Sequence, residues 1–478
     1  MRQFTPALRS LWPGTRPALA MLLLSATLSA CVAAPARAPL AATDTLAAFR
    51  ERRLDAPPPP GLPPPAAGWD RAQWLSAALE LNPALGAQRA EVAAVATGER
   101  TAAERRNPTL ELFAEYLTSA AQSGAWLYGL SLDFLLHAPG ERARRRERAA
   151  LETALAQSDL AESIWQVRAA LRQALLDVAA AQDEGELLES LGAERQALLD
   201  TDRARLRLGQ VARPQLLADE SELTAVRQRR QQAEARRRDA LARLAAAVGV
   251  PASAVAAVPV RWSDWAAIDA LPSGIPDRAR TDALIARPQI LHALREYDLA
   301  ENGLASEVAR RRPQLQLTPA YAWGADGLRA ESLEDVARES AVGVSFELPL
   351  LNQHQGAIGE ALARRAAAGE RLKAAQAQVY EQIDRAELAW PAARSAWQEA
   401  QQLAVLAGQQ LAAERSALAA GASDRAALES AQIAATEARL SALESAYAAE
   451  VAFGALEDAC RRPLEGAESE WPPSASYL

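Results

Sequence analysis

Chemistry that needs metal ligands or a nucleophile has little to work with in this chain. Its 478 residues include three histidines, two cysteines and two methionines. His137, His292 and His354 are solitary, and each reads as a junction or surface residue before it reads as a ligand. One methionine is the initiator, so no soft-metal relay can be assembled. There is no glycine-rich phosphate loop, nucleophile elbow or paired metal ligand set, so the reading is not an enzyme and no cofactor is expected. The formal charge of −8, with 52 basic and 60 acidic residues mixed along the chain, argues against a nucleic-acid partner, which selects a basic face.

One residue has a distinct chemistry by position. Arg2, Arg9 and Arg16 precede a short apolar run, Ala18 to Leu28, as in a signal peptide. The run ends in Leu28-Ser29-Ala30-Cys31, which resembles a bacterial lipobox. That resemblance implies cleavage before Cys31 and attachment of lipid (palmitate among its acyl chains) to the thiol. Val32 follows where an aspartate can signal inner-membrane retention, so sorting to the outer membrane is expected. Loss of the three arginines takes the formal charge from −8 to −11. Cys460 then has no partner and reads as a free, inert thiol.

The elements that must position any site repeat themselves. Pro83 and Pro108 recur as Pro288 and Pro313, both at an offset of 205 residues. Asn82-Pro83-Ala84-Leu85 leads on to Arg105-Arg106-Asn107-Pro108, and Arg287-Pro288-Gln289-Ile290 leads on to Arg311-Arg312-Pro313. So long a period is a duplicated domain half, not a solenoid unit. Alanine dominates the apolar content and aromatics are 5%, the composition of long, closely packed helices. Leu160, Ile164, Val167, Leu171, Leu175 and Val178 form one apolar stripe, at nearly coiled-coil spacing, on a helix of about 65 residues and on the order of 100 Å. Val379, Ile383, Ala386, Trp390, Ala393 and Trp397 form its counterpart, in which Pro391 should produce a kink. Each long helix reaches a glycine, Gly209 or Gly421, and turns back, giving two helical hairpins with tips at 206–214 and 418–425. Gly140 to Gly209 is longer than Gly356 to Gly421 by about one turn, so unequal tip heights are expected. In the first hairpin Arg229, Arg230, Arg236 and Arg237 should lie near Asp183, Glu186 and Glu189 as a solvated, charge-laced face.

Between the helices lie four segments of strict alternation, at 109–117, 126–134, 314–323 and 341–348. One face carries Leu110, Leu112, Tyr116, Trp126, Tyr128 and their like. The other carries Glu111, Glu115, Asp133, Glu347 and small polar residues. About nine residues suffices for a tilted strand to cross a bilayer, and an apolar, aromatic-bearing face opposite a polar one matches an outer-membrane barrel wall. Pro319 forfeits a ladder hydrogen bond and predicts a bulge or an edge strand. Four strands cannot close a barrel, and open edges are not tolerated in hydrocarbon, so several chains must share one.

With these features the chain resembles the TolC family of outer-membrane efflux channels from about Trp69 to Leu464. The marks are the Asn82-Pro83 helix start, Pro108 and Pro313 before the strands, and the run Gly343-Val344-Ser345-Phe346-Glu347-Leu348-Pro349-Leu350-Leu351-Asn352-Gln353-His354-Gln355-Gly356. That run is similar to a strand–helix junction common in the heavy-metal (Czc/Cus-type) RND branch. The resemblance implies a mainly α fold with a small membrane β part. Three chains would share a twelve-stranded barrel and a periplasmic α-helical barrel, anchored in a Gram-negative outer membrane. It further implies a periplasmic adaptor (membrane fusion protein) and an inner-membrane RND-type pump as partners, outer-membrane lipid around the barrel, and no chemistry in the channel itself. Cargo would be divalent heavy-metal cations, with a multidrug or small-molecule efflux channel of the same fold as the alternative. A periplasmic adaptor lipoprotein is the remaining reading, disfavoured because an adaptor carries one hairpin within β-rich domains.

The expected organisation is a signal peptide at 1–30, a lipid anchor and proline-rich spacer at 31–68, a first repeat at 69–249 and a connector at 250–280. A second repeat at 281–464 and a tail at 465–478 complete it. At the periplasmic tips Arg205, Arg207, Gly209, Gln210, Arg213, Gly421, Ser423 and Asp424 are the candidates for gating or adaptor contact. The arginine-rich run 142–148 follows the second strand and could face lipid headgroups, acidic neighbours or solvent.

Overall fold

The computed structural model describes residues 38–54, 68–119, 122–136, 140–256, 258–262, 265–325, 338–348 and 350–465. Cys31 and His137 lie outside them. The chain divides into two units, Met1–Glu51 and Arg52–Leu478. The first contains helix α1, Ala42–Arg50, which buries none of its residues. An extended spacer is expected there, but the stretch between Pro39 and Pro57 has no proline and is rich in alanine, so a short helix forms.

The second unit is a duplicated set of elements. The first set runs α2 (Arg71–Leu81), α3 (Pro83–Ala103), β1 (Thr109–Ser119), β2 (Gln122–Leu136), α4 (Glu141–Arg207) and α5 (Arg213–Val248). A one-turn helix α6 (Ala252–Val255) and a 3-10 turn (Trp265–Ala270) follow. The second set is α7 (Asp277–Ala286), α8 (Pro288–Ala309), β3 (Gln314–Ala325), β4 (Arg338–Glu347), α9 (Gln355–Ala419) and α10 (Arg425–Cys460).

Local chemistry explains the boundaries. Asp70 caps α2 in a reciprocal box with Gln73. The Asn82 carboxamide oxygen accepts from the amides of Ala84 and Leu85, and Pro83 occupies the first turn of α3, where a missing N–H costs nothing. α5 and α10 are both 36 residues, whereas α4 has 67 and α9 has 65. The outgoing helices thus differ by two residues, a rise of about 3 Å. The full-turn difference expected from the glycine spacing is corrected, because α9 begins at Gln355, before Gly356. α9 also continues unbroken through Pro391.

The predicted stripes are the buried faces. Leu160, Leu171, Leu175 and Val178 on α4, and Val379, Ile383, Trp390 and Trp397 on α9, are each at most 3% exposed. Two cores form beside the short helices. The first gathers Trp69, Trp74, Leu171, Leu175, Leu244, Val255 and Val258. The second gathers Ile268, Leu271, Ile290, Val379, Ile383, Trp390 and Phe453. The connecting segment therefore contributes side chains to both cores. A parallel bridge from Trp69 to Val260 holds its first part, and Trp390 Nε1 donates to Pro272 O at 2.9 Å beside its second.

Ionic contacts set the register between the repeats. Arg168 and Arg172 of α4 reach Glu457 and Glu450 of α10 at 3.1 and 2.9 Å, all four buried. Gly454 leaves room for the Arg172 guanidinium, which a Cβ at that position would meet. Trp165 Nε1 donates to Asp458 at 2.7 Å, and Arg461 clamps Glu162 with bonds of 3.1 and 2.7 Å. On the first hairpin Arg229 and Arg236 both pair with Glu184, and Arg229 also with Glu444, while Arg237 pairs with Glu234. Asp183 instead accepts from Trp265 Nε1 at 2.7 Å, because its side chain faces the connector. Among the described residues no helix is long and apolar enough to cross a membrane.

Candidate functional site: a two-faced sheet and two hairpin tips

The four strands form one antiparallel sheet in the order β1-β2-β3-β4. Each strand runs a few residues past the expected bounds, and β4 lies slightly earlier, at Arg338–Glu347. The register aligns like with like. Leu112 pairs with Leu130 and Leu130 with Tyr321; Leu317 pairs with Val344, and Leu315 with Phe346. One face is consequently apolar across all four strands, and it is exposed: Leu112 61%, Val342 70%, Phe346 59%. Tyr116, Trp126, Tyr128, Trp323 and Tyr321 form a continuous row on that face, with successive ring centroids 5.0 to 6.3 Å apart. The row lies toward the hairpin ends of the strands.

The opposite face carries Glu111, Glu115, Asp133 and Glu347. Asp133 accepts from the Thr318 hydroxyl at 2.6 Å and from Gln316 Nε2 at 3.2 Å. On the same face the Phe113 ring lies over Gly129, where a Cβ would collide with it. The expected bulge or edge at Pro319 is corrected. β3 is an interior strand, and its pairing with β4 runs through Pro319–Val342 without a shift. The register shift falls between Leu117 and Ser119 of β1, while the pairing of β3 with β2 lapses over Thr318 and Pro319, between Ser131–Ala320 and Phe134–Leu317, with the register kept. Beside Pro319, side-chain bonds from Gln316 and Thr318 to Asp133 tie β3 to β2 where the proline offers no donor.

The two tips share one construction. Gly209 and Gly421 both take φ +72°, a left-handed conformation that glycine adopts without a Cβ penalty. Gln210 N donates to Arg205 O at 2.9 Å, and Ala422 N to Ala417 O at 2.8 Å, so both helices end in the same six-to-one bond. Arg207, Gln210 and Arg213 are exposed, while Arg205 pairs with Asp202 at 3.2 Å. Ser423 Oγ donates to Glu414 at 2.7 Å, and Asp424 caps α10 by accepting from Ala427 N at 2.8 Å. Asp424 and Gly421 therefore shape the second tip, and Arg207, Gln210 and Arg213 present side chains at the first.

Behind the first tip sits a pair that the spacing arguments missed. Asp202 and Asp219 are 4% and 6% exposed. Burial, then a hydrogen bond and repulsion from Asp202, raise the Asp219 carboxyl above the usual range, against Gln215 and Arg195. The signal was present: Asp202 continues the buried row Leu188-Leu191-Leu199 and Asp219 precedes Leu223-Val226, so each carboxylate interrupts an apolar stripe. At the second tip Glu429 is 3% exposed and pairs with Arg425 at 2.8 Å.

The two described histidines stay apart. His292 faces Asp159 at 3.3 Å, and His354, with φ 57°, lies 3.8 Å from Glu307 at the start of α9. Cys460 is buried, and burial pushes its thiol up to about 12. Among the described residues no group of three His, Cys, Asp or Glu could hold a metal ion.

No protein-family model and no characterised protein matches the sequence. Solved structures do match the fold. The outer membrane protein VceC from Vibrio cholerae is 16% identical with a TM-score of 0.63, over 83% of this chain and 97% of its own. The Campylobacter jejuni CmeC outer membrane channel is 13% identical at 0.64, over 85% and 88%. CusC, described for its folding and transmembrane channel formation, is 15% identical at 0.66, over 90% and 99%. The mainly helical chain with its small antiparallel sheet has the fold of the TolC-type outer-membrane channels.

Proposed function

We propose that the protein is the outer-membrane conduit of a tripartite efflux system. The observation that carries this reading is the sheet: an exposed apolar face with an aromatic row, a polar face behind it, and unpaired edges at β1 and β4. Such a sheet is unstable alone in water or in lipid and is satisfied by closing edge to edge with further copies. Three copies close twelve strands into one barrel. The two matched hairpins of each copy then give six around one axis, consistent with 69–249 and 281–464 acting as repeats. The apolar face meets outer-membrane lipid and the acidic face lines the lumen. Lipidation at Cys31 supplies a second anchor. The tips reach toward a periplasmic adaptor and, through it, an RND-type pump that supplies the energy, so the conduit itself performs no reaction.

Cargo on this reading is a divalent heavy-metal cation, supported by the acidic lumen face at Glu111, Glu115, Asp133 and Glu347. Multidrug export uses the same fold and is separated by phenotype. Deleting the gene and testing growth against divalent metals, dyes and antibiotics should give hypersensitivity to metals, restored by the intact gene. Hypersensitivity confined to hydrophobic drugs would overturn the cargo assignment, and none to any compound would overturn the efflux role.

A further inference from the structure

The base of the sheet, where strands meet helices, carries a charge opposite to that of the chain. Residues 104–106, 141–148 and 307–312 hold ten arginines and four glutamates, a local excess of +6 on a chain of −8. Thr109, Leu136, Gln314 and Glu347 end the strands at this edge, so Arg106 and Arg312 stand three and two residues before the strands they precede. Arg142 Nε donates to Ala103 O at 2.6 Å, which places the first turn of α4 against the end of α3. Asn302 Nδ2 donates to Glu147 at 2.9 Å and to Arg144 O at 3.3 Å, which brings α8 alongside. The three arginine segments thus occupy one level.

Local pairing leaves much of this charge uncompensated. Arg148 pairs with Glu152, and Arg310 with Glu307. Arg105, Arg106, Arg311 and Arg312 are exposed and form no ion pair with any described residue. The aromatic anchors are distributed oppositely. Every Tyr and Trp of the described strands lies in the row toward the hairpin ends, and the base has none. A membrane-crossing sheet is held at both interfaces by amphipathic or charged side chains. With aromatics at one end only, arginines are the remaining anchors at the other.

We propose that this arginine collar binds the phosphodiester groups of anionic glycerophospholipid in the leaflet at the base of the sheet. The inference rests on the membrane placement of the sheet proposed above. Guanidinium groups match phosphate oxygens in charge and in bidentate geometry. Arg106 and Arg311 occupy equivalent positions in the two repeats, so three copies present the contact six times around the barrel.

The test is boundary-lipid electron paramagnetic resonance on the full lipidated protein in phosphatidylcholine vesicles. Spin-labelled phosphatidylglycerol is compared with spin-labelled phosphatidylcholine. The native protein should hold phosphatidylglycerol several-fold more strongly, at about one charge-pair's worth of preference or more. That preference should fall to about unity in R105Q/R106Q/R311Q/R312Q, and in the native protein at about 0.5 M salt. Equal immobilisation of the two lipids by the native protein, or an undiminished preference in the variant, overturns the collar. Such results would assign the arginines to an acidic neighbour or to solvent. Should the quadruple variant fail to assemble, a salt-independent preference in the native protein overturns it equally. Absence of any immobilised lipid would instead sink the membrane placement of the sheet.

Discussion

Val342 and Ala341 are neighbours on β4 with opposite obligations, and one arginine placed at each in turn separates a membrane sheet from a soluble one. Val342 lies on the apolar face opposite Pro319, and Ala341 lies on the polar face opposite Ala320. Both are exposed in the single chain, so neither substitution meets a packed neighbour. Residue 342 is fifth of ten in the strand, with roughly 13 Å of strand to one side and roughly 16 Å to the other at ~3.3 Å per residue. That is near mid-depth. An arginine there on the lipid face costs ~2–4 kcal/mol per copy, or on the order of 6–12 kcal/mol for three copies. An arginine at 341 points into a hydrated lumen and should cost within about 0.5 kcal/mol, as for a surface change. The assay is urea unfolding from phospholipid vesicles followed by tryptophan fluorescence, with the yield of heat-resistant assemblies as a second readout. Val342→Arg should shift the midpoint sharply or abolish assembly while Ala341→Arg behaves as native. Equal effects from the two substitutions would refute the facing of the sheet, and a larger effect at 341 would invert it.

Three further outcomes follow from the helical part. Glu457→Gln keeps the shape of a fully buried side chain but removes the charge facing Arg168 and Arg172, and should cost about 3–5 kcal/mol in denaturant unfolding. Asp219 has its pKa raised on folding, so its contribution to stability is fullest below the ordinary carboxylate value near 3.8 and is lost as pH rises through the raised value. Asp219→Asn should therefore slow hydrogen exchange at 206–214 at neutral pH and flatten its acid dependence; unchanged exchange would remove the pair from the tip's energetics. Gly209→Ala and Gly421→Ala each force a Cβ into φ +72° and should cost ~1–2 kcal/mol, read as faster local exchange confined to the altered tip.

What could be read ahead of the structure follows the range of the physics. Alternation of two and steps of three and four are local, so the faces of the strands and the buried stripes of α4 and α9 were legible from residue types alone. The turns at Gly209 and Gly421 were legible for the same reason. Pairing is not local. Pro319 looked like a strand edge because the side-chain bonds from Gln316 and Thr318 to Asp133, nearly two hundred residues away in sequence, cannot be seen from β3. The rotation of α4 decides which of its acids faces the arginines of α5, and residue types do not give it: Glu184 meets Arg229 while Asp183 meets Trp265. Asp202 and Asp219 are not legible as a pair, because a carboxylate on an apolar stripe is ordinarily solvated. Only the return of α5 shows that both are buried. The outgoing helices differ by less than the glycine spacing suggests, because α9 begins at Gln355, ahead of Gly356, whereas α4 begins after Gly140.

The central claim is that single four-stranded sheets close only by sharing a barrel among three copies. The mass of the particle extracted from outer membranes in mild detergent, after subtraction of bound detergent, tests it directly. Three copies of the chain per particle are expected, held together until the strands unfold. A single copy, or one that leaves the membrane without detergent, would contradict it.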